Sequence, residues 1–221
     1  MSAPSPARCI CRPGKCDVCG EVRLYHRRVG ARNFLIEGVS GSGKTSVCTE
    51  LERRGYQGIH GDRVLAYVGD PGTGDRVAGN ATQAGHAADC GCWDCLAWLS
   101  ERWLWDLDQV RTIAADRTEP MTFFCGGSRN FSKIIDLFDA VFVLDVDLDT
   151  LLRRLSTRPE HEFGGKQSDR DLVALQNRTR ADRLLDRRVP DDAILVDTGR
   201  PLMEVVDQIV RRAEQVGRAE G

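Results

Sequence analysis

The sequence predicts an open α/β fold: a five-stranded parallel sheet covered by helices on both faces. Three observations lead there. Five short runs, NFLIEG (33–38), YQGIH (56–60), MTFFCG (121–126), AVFVLDV (140–146) and AILVD (193–197), have the length of strands, and most are continuously apolar, as strands buried on both faces are. Segments of helical period separate them, the alternation that builds a parallel sheet. The 221 residues are 41% hydrophobic and 29% charged, which is ordinary globular usage and enough for one sizeable core.

Residues 1–32 carry seven basic residues against two acidic ones and few apolar side chains, so they cannot build a hydrophobic core of their own. The first strand begins at Asn33 and ends in glycine. A helix over Thr45–Arg54 follows, with Val47, Cys48 and Leu51 on one face and Gly55 as its stop. After the second strand, Gly69–Gly91 is rich in Gly, Asp and Thr and reads as an extended surface loop. Leu99, Trp103, Leu107, Val110 and Ala114 recur at helical spacing and predict an amphipathic helix over Ser100–Ala115. Four tryptophans (93, 98, 103 and 105) crowd this region and are expected to pack that helix onto the sheet. The third and fourth strands come next, then a helix over 147–157 marked by Leu148, Leu151, Leu152 and Leu155. Beyond the fifth strand, Pro201 opens a last helix through Leu202, Val205, Val206, Ile209 and Val210.

Between the first strand and the first helix stands Gly38–Thr45, GVSGSGKT, which satisfies G-x-x-x-x-G-K-[ST] at every specified position. Its glycines let backbone N–H groups approach phosphate oxygens with no Cβ in the way, and the helix that follows adds its positive end. Gly38, Val39, Ser40, Gly41, Ser42, Gly43, Lys44, Thr45 and Ser46 are therefore the candidate binding residues for a nucleotide, ATP. Lys44 would reach the β- and γ-phosphates and the Thr45 hydroxyl would ligate Mg²⁺.

On these residues the chain resembles the P-loop small-molecule and nucleotide kinases, the group of adenylate-, shikimate- and gluconate-kinase-like P-loop NTPases. GVSGSGKT is most similar to the gluconate-kinase wording, and the resemblance spans about residues 33–213. It implies an ATP-dependent kinase that transfers the γ-phosphoryl group to a small-molecule acceptor. Asp62, after the second strand, would orient or deprotonate the acceptor hydroxyl. Gly126, Gly127 and Arg129, after the third strand, would form the acceptor loop, with Arg129 on an anionic group. Arg154 and Arg158 would serve the transferring phosphate beside a short lid over 158–170, where Lys166 follows paired glycines. DTGRP (197–201) would wrap the adenine through its backbone. One departure stands out: Cys125 occupies the position where many P-loop enzymes end this strand in aspartate, leaving Mg²⁺ to Thr45, Asp62 or water. A nucleoside or nucleotide is the first acceptor expected, because of Arg129. A gluconate- or shikimate-like hydroxy acid is the second, and a non-catalytic ATP-binding regulator is the rival from another class.

Nine cysteines are many for such a chain, and seven of them cluster. Cys9, Cys11, Cys16 and Cys19 form one group. Cys90, Cys92 and Cys95, with His86, form another inside an insertion at 69–97. Four soft ligands at short spacing suit Zn²⁺, so both groups are candidate structural zinc sites, and 1–32 is expected to be a zinc-binding appendage able to dock a protein partner. Cys48 and Cys125 read as core cysteines and His60 as a structural residue at a strand end. Residues 214–221 read as a tail. Thirty-one basic residues against 33 acidic ones argue against a nucleic-acid partner, and no apolar run suits a membrane span or an export signal, so the expected location is cytoplasmic.

Overall fold

The computed structural model describes residues 31–77, 92–181 and 190–216. Strand β1 (Arg32–Glu37) lies at the centre of the sheet, where Phe34, Leu35 and Ile36 are buried on both faces. It pairs in parallel with β5 (Met121–Cys125) on one side and β6 (Ala140–Asp145) on the other. Strand β2 (Gln57–His60) lies outside β5 and β7 (Ile194–Asp197) outside β6, giving the order β2-β5-β1-β6-β7. All five predicted strands are present, and every pair is parallel.

Strand alternation divides the core in two. Phe34, Ile36, Phe123, Phe142 and Leu144 meet Val47 and Leu51 of α1 (Lys44–Arg53) and Val205, Val206 and Ile209 of α7 (Leu202–Val216). Leu35, Phe124, Val141 and Val143 point the other way, to Trp105 and to Val110 and Ala114 of α4 (Leu107–Ala115). A third cluster of Val39, Val146, Leu151, Leu155 and Val173 seats α5 (Leu148–Ser156) and α6 (Gln167–Ala181) against the loop after β1. Helix α1 stops at Gly55, which takes φ 87° as its position demands. Arg54, at the end of α1, ties it to α7 through Glu50 and Asp207.

The predicted helix over Ser100–Ala115 is not one element. Helix α3 (Trp93–Glu101) ends two residues into it, β4 (Trp103–Trp105) interrupts it, and only α4 keeps the helical face. Strand β4 pairs antiparallel with β3 (Ala66–Val68), a two-stranded ribbon that hydrophobic periodicity does not reveal. The cause is local. The Asp106 carboxylate accepts the Gln109 N–H (3.1 Å) and starts α4 afresh. The Asn130 side chain accepts the Trp105 N–H (3.0 Å) and donates to the Trp105 carbonyl (2.9 Å), as a neighbouring strand would. The tryptophans accordingly separate: Trp105 is fully buried, whereas Trp93 and Trp103 are exposed.

Two loop segments have defined local structure. Residues 69–77 are turned rather than extended, with Gly69 bridged to Arg76 and the Asp70 carboxylate accepting the N–H groups of Gly72 and Thr73. The expected lid at 158–170 is non-helical only as far as Lys166, where α6 begins. No helix among the described residues is long and apolar enough to cross a membrane.

Candidate active site

Strand β1 delivers the chain into the phosphate-binding loop at its carboxyl end, and α1 leaves it. Gly43, the residue before α1, has φ 105°, a conformation that L side chains rarely take. No side chain caps α1 there, and its first turn holds no acidic residue, so the N–H groups of that turn are left to a ligand. The Ser42 hydroxyl is completely buried with no hydrogen-bond partner. Lys44 folds back over its own loop, donating to the carbonyls of Gly38 (2.5 Å) and Val39 (3.3 Å). Thr45 and Ser46 stand exposed at the mouth. Unfilled donors, the Lys44 ammonium and a hydroxyl at the helix start form a donor set for polyphosphate, so these residues fit a nucleoside triphosphate.

Asp62 sits on α2 (Gly61–Val64), a single turn directly after β2. Its Oδ1 accepts the Gly127 N–H (3.1 Å) and lies 3.5 Å from the Trp103 indole Nε1. The sequence of β5 explains why it can reach there. A Cβ on Gly126 would stand 2.7 Å from both Asp62 Oδ1 and the buried Trp105 ring, so only glycine leaves room. Gly126 also donates to the Ile36 carbonyl (3.0 Å), which sets this turn beside the end of β1. Glu37, the last residue of β1, faces the same turn, its Oε1 3.6 Å from where a Gly127 Cβ would be. Glu37 and Trp103 were not among the candidates read from the sequence. A carboxylate directly before the glycine that opens the phosphate loop was the available signal for Glu37.

Cys125 does not supply the oxygen that the aspartate it replaces would give. Its thiol is buried, and burial, followed by its hydrogen bond with Cys48, pushes it well above the ordinary thiol range. A neutral thiol is a poor ligand for Mg²⁺, which takes hard oxygens. Thr45, Asp62 and Glu37 carry such oxygens and fit the ion.

The arginines divide by role. Arg158 donates to the Ser40 hydroxyl (3.1 Å) and to the Phe163 carbonyl (2.7 Å), so the residue before Pro159 reaches the phosphate loop itself. Arg154 donates to the Thr198 carbonyl (2.7 Å), with the Thr198 hydroxyl at 3.4 Å and the Gly41 carbonyl at 3.5 Å. It thereby joins α5 to the turn after β7 and to the back of the loop. Arg129 donates to the carbonyl (2.7 Å) and hydroxyl (2.6 Å) of Ser100, holding the end of α3 over the acceptor turn. Lys166 is exposed, its N–H 3.4 Å from the buried Asp169 carboxylate, which also accepts the Gly164 N–H (3.0 Å). Of the zinc candidates, Cys92 precedes α3 and Cys95 is buried on it. Cys9, Cys11, Cys16, Cys19, His86 and Cys90 lie outside the described residues.

A protein-family model described as an AAA domain matches residues 35–172. No curated protein matches the chain. Among solved structures, a shikimate kinase from Bacteroides thetaiotaomicron gives a TM-score of 0.51 at 15% identity, over 83% of this chain and 98% of that one. A gluconokinase from Sinorhizobium meliloti 1021 gives 0.47 at 22% identity, over 85% and 94%. A deoxyadenosine kinase from M. mycoides gives 0.48 at 13% identity, over 82% and 98%. At 15% identity the shikimate kinase likeness is one of fold. The family match takes in the second half of β1, the Gly38–Thr45 loop, Asp62, the turn after β5 and α5, more than half of the chain. The chain belongs to the AAA-domain family, and its fold is that of the P-loop kinases.

Proposed function

We propose that the protein is an ATP- and Mg²⁺-dependent phosphotransferase that moves the γ-phosphoryl group of ATP to a hydroxyl of a small acceptor, a nucleoside in the first place. The observation that carries this reading is Asp62, held by the Gly127 N–H and beside the Trp103 indole at the carboxyl end of the sheet. Ligands of open α/β sheets bind at that end. When bound, the magnesium nucleotide supplies the phosphoryl group and part of the charge neutralisation.

The side chains do the rest. The Lys44 ammonium exchanges the carbonyls of Gly38 and Val39 for phosphate oxygens, and the first-turn N–H groups of α1 donate beside it. Asp62 orients the acceptor hydroxyl and takes its proton as the oxygen–phosphorus bond forms and ADP departs. Arg158, already at Ser40, offsets charge on the equatorial oxygens. Glu37 and Asp62 beside the acceptor turn make it acidic, and Ser100 engages Arg129. Both features favour a neutral, hydroxyl-bearing acceptor over a hydroxy acid of the gluconate or shikimate type. The exposed Trp103 indole offers a flat face for a base. The thiols of Cys9, Cys11, Cys16 and Cys19 are read as a zinc clasp outside this machinery.

A panel of nucleosides, nucleotides, gluconate and shikimate with γ-labelled ATP tests the reading. Transfer to a nucleoside is expected, with Asp62→Asn lowering kcat by about 10²-fold or more while ATP still binds. Arg158→Ala should lower kcat by about 10²–10³-fold. A chain that binds ATP through Lys44 yet labels no acceptor would refute it. The regulator reading, which Cys125 in place of an oxygen ligand favours, would then stand.

A further inference from the structure

Helix α1 and strand β2 bring together three side chains of metal-ligating type. Cys48 and Glu52 are four apart on α1 and therefore share one face. Gly58 and His60 are two apart on β2 and share one face as well. The sulfur of Cys48, a carboxylate oxygen of Glu52 and a ring nitrogen of His60 all lie within 4.8 Å of one another. Gly58 makes this possible: a Cβ there would stand 2.7 Å from Glu52 Cγ and 3.1 Å from Cys48 Sγ. His60 is paired in register with Cys125 on β5, and Cys125 packs in the same buried cluster as Cys48.

We propose that Cys48, Glu52 and His60 form a Zn²⁺ site, with water completing the tetrahedron. The donor types are those zinc prefers: thiolate sulfur, imidazole nitrogen and carboxylate oxygen. The spacing agrees as well. An ion about 2.0–2.1 Å from both an imidazole nitrogen and a carboxylate oxygen, at a tetrahedral angle, would hold them about 3.3 Å apart. His60 Nε2 and Glu52 Oε2 stand at 3.2 Å. The site is graded from inside to outside: Cys48 is completely buried, His60 is mostly covered, and the Glu52 side chain is 44% exposed, which gives the ion a way in. A plain surface ion pair between Glu52 and His60 would not call for a buried thiol and a glycine notch behind it. Binding displaces the proton of the Cys48 thiol.

The ion would act as a clasp rather than a reagent. It would join the helix that carries Lys44 and Thr45 to the strand that leads, two residues beyond His60, into Asp62. The site shares no residue with the groups at Cys9–Cys19 and His86–Cys95, and its existence does not depend on phosphotransfer.

Zinc content of the full chain tests it, measured after chelator stripping and reloading with Zn²⁺ alone. Cys48→Val, which keeps an apolar side chain in the core, and His60→Asn should each hold one zinc fewer per chain than the parent. A chain with Cys9, Cys11, Cys16 and Cys19 all changed to Ser should keep the zinc that Cys48→Val loses. After cobalt replacement, Cys48→Val should lose a sulfur-to-cobalt charge-transfer band that the Cys9–Cys19 variant retains. Folded Cys48→Val and His60→Asn proteins with the parent's zinc content and an unchanged cobalt spectrum would overturn the proposal.

Discussion

Asn130 offers the sharpest test of how the acceptor side is held together. Its side chain is only 6% exposed and satisfies both backbone groups of Trp105, accepting the N–H at 3.0 Å and donating to the carbonyl at 2.9 Å. Asn130→Ala removes both partners and leaves two buried backbone groups unpaired. Each such group costs about 1–3 kcal/mol, so the sum is about 2–5 kcal/mol once some water entry is allowed. For a domain of this size that corresponds to about 5–15 °C in Tm. Asn130→Asp separates the two bonds. It keeps an acceptor for the Trp105 N–H but sets an oxygen against the Trp105 carbonyl, so it should be at least as destabilising as Ala. Urea unfolding, with the denaturant slope checked for constancy, gives the free energy directly. If Asn130→Ala stays within about 0.5 kcal/mol of the parent, the account of β4 as a strand completed by a side chain is wrong.

Gly126→Ala places a Cβ 2.7 Å from both Asp62 Oδ1 and the Trp105 ring. The carboxylate can swing aside but the buried indole cannot, so a loss of about 1–3 kcal/mol is expected in urea unfolding. A fall in kcat should accompany it, and a parent-like kcat would show that Asp62 need not sit at the turn. Asp147 caps α5, its carboxylate accepting the Thr150 N–H (2.8 Å). The Thr150 backbone and side-chain hydrogen bonds hold it below the ordinary carboxylate range. A depressed pKa contributes stability that is present above the unfolded-state value near 3.8 and is lost as pH falls through the lower folded-state value. Asp147→Ala should therefore lower Tm at pH 7, with the gap to the parent closing below about pH 3.8, and Asp147→Asn should cost less because asparagine also caps. A gap that is constant with pH would exclude the carboxylate as its source.

Much of the fold could be read from residue order because parallel strands buried on both faces leave a plain trace. Phe34–Ile36 and Val141–Leu144 are apolar on both faces, and the phosphate loop names its own neighbours. The ribbon of β3 and β4 left a weaker one. Leu99, Trp103, Leu107, Val110 and Ala114 meet the helical period by coincidence across three elements. The contrary signal was Asp106 three residues before Gln109, a helix start inside the supposed helix. For the site, Lys44 lies in the loop that its motif marks, while Asp62 and Arg158 were named through the family resemblance. The bonds of Arg129 to Ser100 and of Arg154 to Thr198 were not legible, because their partners are distant in sequence. The grouping of Cys48, Glu52 and His60 was equally hidden. It depends on a helix face meeting a strand face, which no single periodicity reports.

The β3–β4 ribbon is not part of the parallel sheet, yet through Trp103 it forms one side of the acceptor turn. On the proposed function, grip on phosphate and choice of acceptor would fall to separate pieces of the chain. Trp103, the exposed residue of β4, can be exchanged without touching the core that β1, β5 and β6 share with the buried Trp105. An engineer seeking a new acceptor would start with Trp103 and its neighbours and leave the loop from Gly38 to Thr45 untouched.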